Sequence, residues 1–157
     1  MPTTTTLATS LLLLLNAATS KLVTLATFLI LLHLSTPRAY LFGLGAILNS
    51  FLGKLVKRLL DQPRPPTSTL TDSGMPSSHA TSLSYFAAGL TWLLLPSTTT
   101  TILPLLLWLY VALICYARVR LTKVHTLSQI IAGVILGSSF SSCWWYSSWY
   151  PTPAMPF

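Results

Sequence analysis

Three short clusters of polar and charged residues interrupt a chain that is otherwise mostly apolar. They occupy residues 57–65 (KRLLDQPRP), 74–80 (GMPSSHA) and 117–129 (ARVRLTKVHTLSQ). Their arginine and lysine side chains can donate several hydrogen bonds to phosphate oxygens. His79 and His125 can transfer protons or attack phosphorus near neutral pH. The clusters therefore predict a site for chemistry on a phosphate group.

The composition indicates a membrane protein with a single domain, residues 1–157. Of the 157 residues, 52% are hydrophobic and 7% are charged, and the mean hydropathy is +0.68, whereas about a quarter of a typical soluble domain is charged. Nine Lys or Arg stand against two acidic residues, and seven of the nine lie in two short stretches beside apolar segments. This placement favours phosphate or lipid headgroup contacts, so we expect no nucleic-acid partner. We infer no obligate protein partner.

Five segments are candidates for membrane-spanning helices, because about 30 Å of hydrocarbon requires roughly 20 apolar residues. The first, 7–34, contains a lysine and is either one tilted helix or a surface helix followed by a short span. The others are 39–56, 80–95, 102–117 and 126–146. The sequence predicts an all-α transmembrane bundle of about five spans, and counting crossings brings the three clusters to one membrane face. Trp149 and Tyr150, together with Trp144 and Trp145, predict an interfacial aromatic belt at the end of the last span.

Parts of the clusters have simpler interpretations when each is taken alone. The basic residues that end the second span could be the positive flank typical of cytoplasmic loops. Ser77 could be only a helix N-cap, and a lone histidine at an interface is usually an amphipathic anchor. The convergence of three clusters favours the functional interpretation, since ionisable residues at membrane depth are costly and mark functional sites.

Metal chemistry is not expected from this set of residues. Asp61 and Asp72 are the only carboxylate side chains in the sequence, which is too few for a magnesium or two-metal phosphatase. A zinc site would need more His or Cys than converge here. The sequence therefore predicts no metal and no other cofactor.

The motifs resemble those of the phosphatidic acid phosphatase type 2 (lipid phosphate phosphatase) superfamily. Its first motif is Lys, six residues, Arg-Pro, which Lys57, Arg64 and Pro65 match fully. Its second is Pro-Ser-Gly-His, which is similar to Pro-Ser-Ser-His at 76–79. Ser-Ser-His together with His-x-x-Ser-Gln looks like the dolichyl-diphosphatase branch and the plastid lipid phosphate phosphatases. The similar region, 57–129, covers just under half of the chain, and the six spans usual in the family imply a shortened N-terminal region here.

The third motif departs further from the family pattern of Ser-Arg, five residues, His, three residues, Asp. Ala117 replaces Ser and Gln129 replaces Asp. Six residues separate Arg118 from His125, and four separate Arg120 from it. On a continuing helix the two arginines point about 200° apart, so one should matter more, and similarity to the plastid branch favours Arg120.

The resemblance implies a role for each residue of the site. His125 would attack phosphorus to form a phosphohistidine, and His79 would protonate the departing oxygen and later activate water. The phosphoryl oxygens would be held by Lys57, Arg64, Ser77, Ser78 and one or both of Arg118 and Arg120. Apart from the resemblance, His125 and Gln129 are four residues apart at a helix start and share a face. The Gln129 carbonyl can therefore accept the Nδ1 proton of His125.

The resemblance implies an integral-membrane, metal-independent phosphatase acting on lipid phosphates or diphosphates, such as phosphatidate or polyprenyl and dolichyl diphosphates. Its partners would be that substrate and the membrane lipids. A catalytically impaired lipid-phosphate binding protein is the alternative, because Gln129 and the third motif are irregular. A plain membrane scaffold would leave the joint motifs unexplained. The endoplasmic reticulum and a plastid membrane both remain open as locations.

Overall fold

The computed structural model describes residues 7–94 and 102–149 and is built of helices within those ranges. In chain order they are α1 (Leu7–Leu34), α2 (Pro37–Leu60), α3 (Ser78–Leu94), α4 (Ile102–Tyr116), a π turn (Ala117–Leu121) and α5 (Leu127–Trp149). The all-α prediction is confirmed, and the predicted connection at 96–101 lies outside the described residues. α1 is one continuous helix.

Four stretches are long and apolar enough to cross a membrane, by length and composition. They are Leu7–Leu29, Pro37–Leu60, Ile102–Leu121 and Leu127–Ser148. The remaining predicted span, 80–95, corresponds to α3, of which 17 residues are described. α3 packs against each of the other four helices, so it is the central helix of the bundle.

The ends of α2 are set by local chemistry. Thr36 accepts a hydrogen bond from the backbone N–H of Ala39 at 3.2 Å, and Pro37 occupies the first turn, where its missing N–H is not needed. At the other end Asp61 adopts a left-handed conformation and its N–H donates to the Lys57 carbonyl at 3.1 Å. Lys57 therefore lies in the last helical turn and Arg64 lies in the loop that follows.

Small residues allow α3 and α5 to approach closely. A Cβ atom added at Gly137 would collide with the carbonyl oxygen of Thr81, and one at Gly133 would lie 2.8 Å from the carbonyl oxygen of Ser77. At the helix starts, the Ser77 N–H donates to the Gln129 carbonyl at 3.0 Å. This packing brings the second and third clusters together.

An aromatic core lies between α2, α3 and α5 at the opposite end of the bundle. Phe42, Tyr85 and Trp145 are buried together, and the Tyr85 hydroxyl donates to the Phe42 carbonyl at 2.9 Å. Trp145 is 7% exposed, so its ring packs inside the bundle. Trp144 contacts α2, since its Nε1 donates to the Leu41 carbonyl at 3.0 Å. The aromatic belt stays a prediction, and Tyr150 lies outside the described residues.

Candidate active site

The structure brings the three clusters together around His125. Arg64, from the loop after α2, places Nη1 at 3.1 Å from His125 Nε2 and 3.0 Å from the Val124 carbonyl. The positive charges of Arg118, Arg64 and Lys57 act on both His79 and His125. The three clusters are predicted to converge, and these side chains, one or more from each cluster, do lie together in the structure.

The side chain of Gln129 fixes the orientation of His125. Its Oε1 lies 3.2 Å from His125 Nδ1 and accepts from the Thr126 N–H at 3.2 Å. Its Nε2 donates to the Pro63 carbonyl at 3.0 Å and to Gln62 Oε1 at 3.2 Å. The Thr126 N–H can only donate and the Pro63 carbonyl can only accept, so the oxygen and nitrogen of the Gln129 amide can be placed in only one way. His125 therefore carries its proton on Nδ1, and its Nε2 lone pair faces Arg64.

A carboxylate links the two cations of the first cluster. Asp72 Oδ2 accepts from Lys57 Nζ at 2.7 Å, and its two oxygens accept from Arg64 Nη2 at 2.9 and 3.0 Å. The side chains of Lys57 and Arg64 are 14% and 6% exposed, whereas that of Asp72 is 56% exposed. Partial burial raises the pKa of the Asp72 carboxyl, but the hydrogen bonds and charges of Lys57 and Arg64 outweigh this and hold the pKa below its usual value.

Several donors in this region have no protein acceptor. Ser77 Oγ and Arg118 Nε are buried and unpartnered within the described ranges. The first hydrogen bond of α3 runs from the Thr81 N–H to the Ser77 carbonyl at 2.9 Å, so the amides of residues 78–80 precede it and lack an intrahelical acceptor. Ser77 thus stands at the helix start without capping it. An anion would satisfy this set of donors.

The two arginines of the third cluster lie in different environments. Arg118 is 8% exposed and its Nη1 donates to Asn16 Oδ1 at 3.4 Å. Arg120 is exposed and makes no hydrogen bond or ion pair with the part of the chain that the structure describes. The geometry therefore does not support the preference for Arg120 and favours Arg118.

The π turn at Ala117–Leu121 accounts for the irregular spacing of the third cluster. Its closing hydrogen bond joins the Thr122 N–H to the Ala117 carbonyl, five residues back, at 2.9 Å. Such a turn holds one residue more than an α-helical turn. Arg118, with six residues before His125 where the resemblance calls for five, can therefore still reach the site.

His79 and Ser78 lie at one end of a cavity of about 660 Å³ between α1, α2 and α3. Its lining includes Val23, Leu44 and Ile47, and it extends along the helices to Phe28 and Tyr40. Ser78 is exposed. The cavity thus runs from the start of α3 along a mostly apolar wall, of which Tyr40, Leu44 and Ile47 are exposed.

Burial lowers the pKa of the His125 imidazole, and the charges of Arg118 and Arg64 lower it further, to about 4; the hydrogen bond to Gln129 raises it and Lys57 again lowers it. His125 is therefore neutral at physiological pH. A neutral imidazole with Nδ1 protonated presents an unprotonated Nε2, which is the form that can attack phosphorus.

Comparison with known proteins decides the family. The model described as the PAP2 superfamily matches residues 38–153. The chain belongs to the PAP2 superfamily. α1 lies outside the match, and every residue from the three clusters lies within it.

Curated PAP2 relatives come from two groups. The chain is 40% identical over 113 residues to lipid phosphate phosphatase epsilon 1, chloroplastic, of Arabidopsis thaliana, covering 68% of this chain and 39% of that protein. It is 35% identical over 109 residues to lipid phosphate phosphatase epsilon 2, chloroplastic, of the same plant, covering 68% and 38%. It is 31% identical over 129 residues to dolichyldiphosphatase 1 of Homo sapiens, covering 71% and 54%. The chain thus spans about two fifths to one half of these relatives. No solved structure matches it.

Two residues that contact the candidate site are not predicted from the sequence. The sequence points to Asp72 only as a potential metal ligand, and it does not single out Asn16. The described residues contain no group of three or more His, Cys, Asp or Glu that could hold a metal ion. Gly133 and Gly137 form a Gly-x-x-x-Gly pattern in an apolar helix, which is a known signal for close helix packing and could have identified the α5 face that meets α3.

Proposed function

We propose that the chain is an integral-membrane phosphatase that removes phosphate from a lipid phosphate or diphosphate through a phosphohistidine, without a metal. The observation that carries the proposal is His125, whose Nδ1 proton is held by Gln129 and whose Nε2 faces Arg64 among three cations. A neutral nucleophile surrounded by phosphate donors suits attack on an anionic phosphoryl group, because the cations stabilise the charge that develops on its oxygens.

In the first step, the Nε2 lone pair of His125 forms a bond to phosphorus and the bond from phosphorus to the leaving oxygen breaks. His79 gives a proton to that oxygen, so the lipid departs as an alcohol or as a lipid monophosphate. The phosphoryl oxygens are held by Lys57, Arg64, Arg118, Ser77 and the first amides of α3. In this structure Lys57 and part of Arg64 are engaged by Asp72, so the substrate must displace that carboxylate.

In the second step, His79 accepts a proton from water as the water oxygen attacks the phosphorus of the phosphohistidine. The bond between phosphorus and Nε2 breaks, inorganic phosphate leaves, and His125 returns to its neutral form with Nδ1 protonated. Gln129 accepts the Nδ1 hydrogen throughout, but its neutral carbonyl stabilises the cationic intermediate less than a carboxylate would. A phosphohistidine that is less stabilised is also more readily hydrolysed.

The cavity beside His79 supports a lipid substrate. It is about 660 Å³ in volume and runs between three helices from Ser78 and His79 at the start of α3 along a mostly apolar wall. Ligand cavities of this size are typically apolar with a few polar groups at one end. A hydrocarbon chain in the cavity would place its phosphate beside His79.

A lipid-phosphate binding protein without turnover remains the second candidate, and one observation favours it. The acceptor on His125 is an amide rather than a carboxylate. This predicts weaker catalysis without predicting weaker headgroup binding.

The deciding experiment is phosphate release by the purified full chain in detergent or nanodiscs, with phosphatidate and a prenyl diphosphate as substrates. We expect turnover that persists in excess EDTA, is inhibited by vanadate and is abolished in His125→Ala. Loss of activity in EDTA with recovery on adding magnesium would exclude the metal-free mechanism. Headgroup affinity without any phosphate release would establish the binding protein.

A further inference from the structure

Arg118 is held by a residue outside the family-matched region. Its Nη1 donates to Oδ1 of Asn16 on α1 at 3.4 Å, whereas the PAP2 match begins at residue 38. Both side chains are 8% exposed. Within residues 7–94 and 102–149 the Arg118 guanidinium makes no other hydrogen bond, and the Nε of Arg118 has no acceptor.

Asn16 is unusual in its surroundings. It follows the run Leu11–Leu15 near the middle of an apolar helix, where a buried carboxamide is unfavourable unless it is hydrogen-bonded. Its neutral oxygen can orient the guanidinium without cancelling the positive charge. Asp72 does the opposite on the exposed side of the site, where it neutralises Lys57 and Arg64.

A second polar contact fastens α1 close to this point. Thr19 Oγ1 lies 3.0 Å from the Tyr110 hydroxyl on α4, and α1 also packs against the π turn that carries Arg118. The contact between Thr19 and Tyr110 attaches α1 without touching Arg118. It therefore offers a matched control for the effect of loosening the helix alone.

We propose that Asn16 is a positioning residue for Arg118: it holds one end of the guanidinium in a dry, uncharged contact and leaves Nε available for a phosphoryl oxygen. α1 then completes the anion site, although the family motifs lie entirely on the later helices. The proposal rests on the proposed function only in that Arg118 binds the phosphoryl group.

The test measures anion affinity without requiring turnover, by thermal stabilisation of the purified full chain with increasing orthovanadate and, separately, inorganic phosphate. Asn16→Leu removes the acceptor with little change of volume and should weaken anion binding about tenfold, because a buried hydrogen bond to a charged group is lost. Tyr110→Phe removes a polar contact of α1 that does not involve Arg118 and should leave affinity within about twofold. In an Arg118→Met background, Asn16→Leu should cause less than about a twofold further loss.

Equal losses in Asn16→Leu and Tyr110→Phe, or a full loss that persists in the Arg118→Met background, would overturn the positioning role. If Asn16→Leu does not fold, Asn16→Asp decides. This variant keeps an oxygen acceptor beside Arg118 but adds a negative charge that cancels the charge of the guanidinium, so vanadate should bind more weakly. Unchanged vanadate affinity would also overturn the proposal. A wild-type chain that binds vanadate but releases no phosphate would refute the proposed function while leaving this inference testable.

Discussion

Oε1 of Gln129 accepts from the backbone of Thr126 and faces Nδ1 of His125 at 3.2 Å. The amide nitrogen of the same side chain is occupied by the loop that carries Arg64, through Pro63. One side chain thus couples the position of the first motif to the tautomer of the nucleophile. An apolar side chain in place of Gln129 would leave His125 Nδ1 and the Pro63 carbonyl without this partner.

Gln129→Met should reduce phosphoenzyme formation by about 100-fold or more, since His125 loses the acceptor that keeps Nε2 unprotonated. Rapid-quench measurement with a radiolabelled lipid phosphate reports this step directly. Gln62→Met is the matched control, because it removes one acceptor of the Gln129 amide and leaves the Pro63 carbonyl in place. Its effect should be within a few-fold, and a comparable loss in both variants would contradict the tautomer role.

The pKa of His125, about 4, predicts how the protein responds to acid. An unfolded histidine titrates near about 6.5, so between these values the unfolded chain binds more protons than the folded chain. The free energy of unfolding should therefore fall as pH is lowered from about 6.5 to 4. Carbon-13 histidine NMR in detergent, assigned with His125→Ala, should show no titration of this ring between pH 5.5 and 7.5. A midpoint near 6.5 would contradict the burial and charge argument.

Arg118 and Arg120 form a natural pair of variants. Arg118→Ala removes a buried guanidinium from the phosphate donors and should reduce phosphoenzyme formation by about 100-fold or more. Arg120→Ala removes an exposed side chain and should change the rate by no more than about twofold. The reverse order would show that the arginine two residues later fills the motif role.

Asp72→Asn should make anions bind more tightly. The variant frees Lys57 and Arg64 from a competing carboxylate, and since exposed ion pairs are weak, the gain should be about threefold to tenfold. The measurement is the inhibition constant of vanadate at fixed ionic strength. Asp61→Asn is the control, because Asp61 is the other carboxylate of the chain and bonds Ser73 instead of the two cations. Weaker vanadate binding in Asp72→Asn would mean that Asp72 mainly positions Arg64.

Gly137→Ala should destabilise the bundle. The added methyl group would meet the carbonyl oxygen of Thr81, which belongs to the backbone of α3 and cannot rotate away, so a cost of about 1–3 kcal/mol is expected. Gly53→Ala is the control, since its Cβ would lie 3.6 Å from Thr81 Cγ2, an ordinary contact. The midpoint temperature of thermal unfolding in detergent should fall for Gly137→Ala and stay unchanged for Gly53→Ala. An unchanged transition in Gly137→Ala would show that α3 and α5 can separate freely.

Much of the fold could be predicted because apolar runs and the residues that end them are local properties. α4 begins at Ile102 as predicted, α2 extends the predicted span at both ends, and α5 begins one residue later and ends three residues later than predicted. The pairing of His125 with Gln129 was also predictable, since residues four apart share a helical face.

The rest depends on contacts that are distant in the sequence or on backbone hydrogen bonding. The choice between Arg118 and Arg120 depends on a π turn, which leaves the hydrophobic pattern unchanged. Trp145 belongs to an aromatic run that looks the same whether it faces lipid or the bundle interior. Asp72 could not be assigned because its position depends on the conformation of a loop.

The contact between Asn16 and Arg118 also has a consequence for biosynthesis. The two residues are 102 positions apart, and a ribosome that adds about 5–20 residues per second needs roughly 5–20 s to make that length. During this interval α1 must enter the bilayer with its carboxamide unpaired, relying on the surrounding leucines for insertion. The anion site can therefore assemble only after the fourth helix has been synthesised and has docked against the first.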